Sequence, residues 1–94
     1  GLTTLNIVVV SQTGQVLPGI NILLRTVEGE VLTGMLTDSL GRASVILSPI
    51  SEVDNITCSW LSDEVSFSLK DFTGYESNLK VRIITEGIRK KNSA

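Results

Sequence analysis

Across residues 55–70 apolar and polar side chains take turns: Ile56, Cys58 and Trp60 share one face and Thr57 and Ser59 the other, then Val65, Phe67 and Leu69 alternate with Ser66, Ser68 and Lys70. A repeat of two is that of a pleated strand, and a helix with its repeat of about 3.6 would scramble it. The polar pair Ser62 and Asp63 divides the two runs. Together they predict a hairpin with one dry face and one wet face, as in an antiparallel sheet laid on a core.

The same test predicts strands over 3–11, 20–27, 31–37, 42–48 and 79–88, which with the hairpin makes seven. Turn chemistry separates them: Gly14, Pro18-Gly19, Glu28-Gly29, Gly41, Pro49 and Gly74 supply the fixed or positive φ that reversals need. Residues 51–55 are too few to nucleate a helix and read as a loop or a single turn. Seven short strands and no helix predict an all-β fold, a seven-stranded Ig-like antiparallel β-sandwich. Residues 1–88 form the single domain, and the basic, aperiodic stretch 89–94 is expected to be a disordered tail.

Alternation also assigns faces. Leu5/Ile7/Val9, Ile20/Ile22/Leu24, Val45/Leu47 and Val81/Ile83 are taken as inward, which sets Val8, Val10, Leu23, Ile46 and Ile84 outward. That outer set is somewhat apolar for a solvated surface: it reads as scattered surface hydrophobes or a strand buried on both sides, and the sharper alternative is a covered face or a strip for a partner. Residues 1–10 contain no Pro or Lys, so they are expected to form an unprotected edge strand open to strand addition.

Composition narrows the function. The 94 residues are enough for one core and no second. Cys58 is the single cysteine, so no intrachain disulfide exists and the core must hold the fold unaided. A net charge of −2, from ten acids and eight bases, gives no field to attract nucleic acid, and no apolar run reaches the about 18 residues of a membrane helix. Nucleic acid and direct membrane insertion are therefore not expected. The chain opens at Gly1 with no signal-peptide pattern and reads as a part of something longer.

Candidate chemistry is sparse. Histidine is absent, which removes the commonest general base and metal ligand together. Cys58 sits on the inward Ile56/Trp60 face and is expected to be buried and inert. The carboxylate neighbours Glu28/Glu30, Glu52/Asp54 and Asp63/Glu64 fall at turns, where acids solubilise. None has the spacing of a calcium loop, and no glycine-rich phosphate loop precedes a helix. No enzyme activity, cofactor or metal is expected. Asn55-Ile56-Thr57 matches the N-glycosylation triplet, a pattern that arises often by chance.

Two stretches carry a family likeness: residues 15–22, with Pro18-Gly19 before a strand, and residues 36–47, with Thr37-Asp38-Ser39-Leu40-Gly41-Arg42-Ala43 before the next. Physically, Asp38 can accept hydrogen bonds from its own turn, Gly41 can take the left-handed conformation, and Ala43 starts a strand on the buried side. In this order the segments resemble the group 1 bacterial Ig-like domain of intimin and invasin-type adhesins, over about residues 5–69. Carboxypeptidase regulatory-like domains share the same turn pattern more weakly. Cys58 and Trp60 depart from the adhesin repeat, where small or Thr-rich residues are commoner.

The resemblance implies a non-enzymatic Ig-like module of a bacterial secreted or surface-displayed adhesin, located outside the cell or on its surface and working by protein-protein contact. The partner would be a host receptor or a bacterial surface Ig-like protein, along with neighbouring domains of the full-length chain. A passive stalk spacer and an accessory domain of a secreted enzyme are the alternatives. The candidate binding residues are Phe72, Tyr75 and Asn78, on a loop holding half of the four aromatics, together with Val8 and Val10 of the outward strip. Tyr75 could instead cap the sandwich end in the manner of a tyrosine corner, and Trp60 is assigned to the core.

Overall fold

The computed structural model describes residues 2–47, 52–60, 63–69 and 78–84. They form seven strands: β1 (Thr3–Val10), β2 (Asn21–Arg25), β3 (Val31–Leu36), β4 (Arg42–Leu47), β5 (Asn55–Trp60), β6 (Asp63–Ser68) and β7 (Asn78–Ile84). Two sheets result, of order β4-β1-β7 and β3-β2-β5-β6, and they close on each other as a sandwich. Both the strand count and the all-β class agree with the alternation in the sequence.

The core is the inward set. Leu5, Ile7 and Val9 of β1, with Val81 and Ile83 of β7, meet Ile22 and Leu24 of β2 and Ile56 and Cys58 of β5, all buried. Ala43, Val45 and Leu47 of β4, Val65 and Phe67 of β6, Met35 and Trp60 pack around the margin. Each fully buried aliphatic side chain stabilises the fold by about 1.5 to 3 kcal/mol, so this interior serves in place of a disulfide.

Three expectations are corrected. β1 is not an edge strand, since it lies between β4 and β7. Its last residues, Ile7 to Val10, are four consecutive apolar side chains, the pattern of a strand covered on both faces. The pairing of β1 with β7 is parallel, from Thr4↔Asn78 to Val10↔Ile84, so the sandwich is not antiparallel throughout. Thr57, assigned to the wet face, is buried. Its strand is central, with Leu23 opposite on β2 and Ser66 opposite on β6, and its hydroxyl is satisfied by Asn55 Oδ1 at 2.7 Å and Ser66 Oγ at 3.1 Å.

Several expectations fall on residues outside those described: the tail 89–94, the aromatics Phe72 and Tyr75, and the turn residue Ser62. Asp63, expected in that turn, is the first residue of β6 and pairs with Trp60.

Candidate functional site

The turn that carries the family likeness builds itself as its residues require. Gly41 has φ +73°, and a Cβ there would stand 2.8 Å from the Val9 carbonyl oxygen and 3.0 Å from the Leu17 nitrogen, so only glycine fits. The Val9 N–H donates to the Gly41 carbonyl at 2.8 Å, which ties the turn to β1. Asp38 Oδ1 accepts from the N–H groups of Arg42, at 2.9 Å, and Leu40, at 2.8 Å. These two donors, Arg42's first, hold the Asp38 carboxyl below the ordinary aspartate range, and the Arg42 charge adds a smaller pull. Ala43 then enters β4 packed against the core.

This turn sets Arg42 at the start of β4 with its side chain on the outer face. There the register aligns Arg42, Val8 and Arg82 in one row across the three-stranded sheet, with Ser44 and Asn6 in the next. A groove of 430 Å³ opens over these rows, lined by Asn6, Val8, Arg42, Ser44 and Arg82 among others. Val8 is its half-buried floor, and Arg42 and Arg82 are exposed. Ser44 Oγ donates to Asn6 Oδ1 at 2.8 Å, fixing the polar side of the floor. Ile46 and Ile84 are exposed at either end of the same face. An apolar floor between two guanidinium groups can seat a side chain while offering planar, bidentate donors to a carboxylate.

The sequence-based candidates divide accordingly. Val8 belongs to the groove. Val10 does not, because it is buried. The chain after it folds back: Val10 bridges Val16, the Leu17 N–H donates to the Val9 carbonyl at 2.9 Å, and the Ser11 N–H donates to the Gln15 carbonyl at 2.8 Å. Alternation along β1 cannot show that lid. Asn78 opens β7 in register with Thr4. Leu23 is half-buried, leaning over Gly34, where a Cβ would come within 3.1 Å of Leu23 Cδ2. Sequence reasoning passed over Arg42 and Arg82. Each stands at an outward position of its own strand, but only the parallel β1/β7 pairing brings them to one row.

No other chemistry gathers. Among the described residues there is no cluster of three or more His, Cys, Asp or Glu side chains, and no helix long and apolar enough to cross a membrane. Burial pushes the Cys58 thiol up to about 12, so it is no nucleophile. In the glycosylation triplet Asn55 Oδ1 already accepts from the Thr57 hydroxyl, within a paired strand.

The class of protein this architecture defines is a seven-stranded β-sandwich with a parallel pair between first and last strands. Solved structures share that fold: a streptococcal ancillary pilin at a TM-score of 0.54 and 13% identity, over 90% of this chain and 32% of that one. The Bacillus anthracis TIE protein follows at a TM-score of 0.51 and 15% identity, over 90% of this chain and 16% of that one. The chain thus spans less than a third of the length of either neighbour. No known protein family and no curated protein sequence matches it.

Proposed function

We propose that this chain is a non-enzymatic Ig-like module of a bacterial secreted or surface-displayed adhesin of the intimin/invasin type, working by protein-protein contact outside the cell. The observation that carries it is the outer face of the three-stranded sheet. Arg42 and Arg82 flank Val8 there, and Ile46 and Ile84 are exposed at the two ends of the same face, where a sheet that met only water would be polar. The likeness in fold to portions of a pilin and of a second bacterial protein supports the setting. Phe72, Tyr75 and Asn78 are kept as further candidate contact residues on the strength of the sequence. The partner is a protein, a host receptor or a bacterial surface Ig-like protein, that presents carboxylates to the two arginines.

The test is capture from the surface and secreted fractions of the source bacterium and from host membranes, with the tagged chain and its Arg42→Glu/Arg82→Glu variant. A saturable partner retained by the parent and lost by the variant, with affinity falling as salt rises, supports the reading. Equal capture by both sinks the site. No saturable partner sinks the binding function and leaves a passive spacer, in keeping with the small share of longer chains that the sandwich occupies.

A further inference from the structure

The groove over β1 is closed at one end. Past Val8 the next outward position of the strand is Val10, only 4% exposed beneath the turn that folds back after it. That turn is braced: the Ser11 N–H donates to the Gln15 carbonyl at 2.8 Å, the Gly14 N–H to the Ser11 carbonyl at 2.9 Å, and the Gln15 N–H to Ser11 Oγ at 3.2 Å. It also reaches across to β7, since a Cβ on Gly14 would stand 3.9 Å from Arg82 Nη2. At the other end of the face Ile46 is 63% exposed and leaves the approach open. Arg42 and Arg82 therefore stand at the blind end.

The two arginines lie on either side of β1, two strand spacings or about 10 Å apart at Cα. Both side chains are long enough to converge on one oxyanion above Val8. Among the described residues neither guanidinium forms an ion pair or a hydrogen bond. In the next row Ser44 gives its hydroxyl proton to Asn6 Oδ1 at 2.8 Å, which leaves Ser44 Oγ to act as an acceptor.

We infer that this groove takes the C-terminus of a partner protein that ends in an apolar residue, with the terminal carboxylate held between Arg42 and Arg82. The inference rests on the reading of this face as a protein contact and names what the face recognises. A carboxylate and an apolar group are called for over the same row, Arg42-Val8-Arg82. Neighbouring side chains of an extended segment point to opposite sides, so an internal Asp or Glu cannot be joined over that row by its apolar neighbour. A terminal residue carries both groups on one Cα. Its side chain settles on Val8 while its carboxylate, ionised at neutral pH, meets the guanidinium pair. Its N–H lies towards Ser44 Oγ, and the rest of the segment leaves past Ile46. A strand passing through would have to cross the Ser11 to Gln15 turn; a terminus stops before it.

NMR titration of the isotope-labelled whole chain tests this with three N-acetylated tripeptides, glycyl-seryl-valine, glycyl-seryl-leucine and glycyl-seryl-phenylalanine. Each is compared with its C-terminal amide and with an amide in which aspartyl replaces seryl, so that the same charge sits on a side chain. The expected result is a saturable shift of the Val8, Arg42, Ser44 and Arg82 amide signals by a free acid, with a Kd of about 1 mM or below. Both amides should bind about tenfold more weakly or worse. The exposed-site variant Arg42→Gln/Arg82→Gln should lose the shift with its circular dichroism unchanged. Equal binding of the free acid and the aspartyl amide overturns the terminus and leaves the groove to acidic side chains, so the contact reading survives. No shift with any free acid up to about 10 mM, or a shift that persists in the glutamine variant, overturns the proposal outright. Capture with Arg42→Glu/Arg82→Glu judges the contact face independently of these outcomes.

Discussion

The Thr37 hydroxyl donates to the Leu17 carbonyl oxygen at 2.7 Å across twenty residues of sequence, and the hydroxyl oxygen of Thr37 in turn accepts the Ile20 N–H at 2.8 Å. Thr37 is buried, so it serves as the internal clamp of the Pro18-Gly19 turn, which its own main chain also holds through Gly19 N–H at 3.0 Å. The clamp fixes the entry to β2 and the exit from β3 together.

Thr37→Val keeps the shape and removes both bonds, leaving a buried N–H and a buried C=O without a partner. The expected loss is about 2 to 4 kcal/mol, against about 1 for Thr37→Ser, which retains the hydroxyl. Urea unfolding of the three proteins checks it; equal stability of the Val and Ser variants would show that water replaces the clamp.

Glycines of similar φ separate backbone strain from crowding. Gly19 has φ +71° and Gly29 φ +86° with open space where a Cβ would go, whereas Gly41, at φ +73°, is walled in by Val9 and Leu17. Alanine at Gly19 or Gly29 is expected to cost about 1 to 2 kcal/mol from the left-handed backbone alone. Gly41→Ala adds a collision with main chain that cannot move without breaking the Val9 bond, and should cost at least about 3 kcal/mol. Thermal melts of the three variants would contradict this if they were alike.

Much of this was readable from alternation. Ile22/Leu24, Val81/Ile83 and Cys58 face inward as their spacing requires, Ile46 and Ile84 face outward, and the Asp38 to Ala43 turn forms from its own side chains. Period two tells which residues share a face of one strand; it is silent on which strands are neighbours. Hence β1 could be taken for an edge, and the row Arg42-Val8-Arg82, drawn from three strands far apart in the chain, was invisible. Val10 failed for another reason, since its cover is the loop that follows it, and Thr57 because a polar face becomes buried at the centre of a sheet.

Cys58 supplies a test of core closure that needs no substitution. With burial pushing its thiol up to about 12, the thiolate is scarce and shielded at mildly alkaline pH. Iodoacetamide at about pH 8, near the ordinary thiol value, is expected to leave the native protein unmodified over hours and to alkylate it within minutes in denaturant. Mass spectrometry reads the adduct. Labelling at equal rates in both states would mean that the Ile56-Cys58 face opens readily.

The Asp38 turn gives stability a pH dependence with a definite sign. Its carboxylate accepts two main-chain N–H groups in the fold and none when unfolded, so the folded group titrates below the ordinary value of about 3.9. As pH falls below that value the unfolded chain takes up the proton first, which favours unfolding. The contribution is whole above the unfolded pKa and is lost as pH drops through the folded one. Asp38→Asn keeps one acceptor oxygen and does not titrate. Urea midpoints measured from about pH 6 to about pH 2 should show the parent ahead of the variant at the upper end, with the gap closing towards the lower. Parallel curves would mean that the two N–H groups bond a neutral oxygen as well as a charged one, and that the Asp at this turn is there for geometry alone.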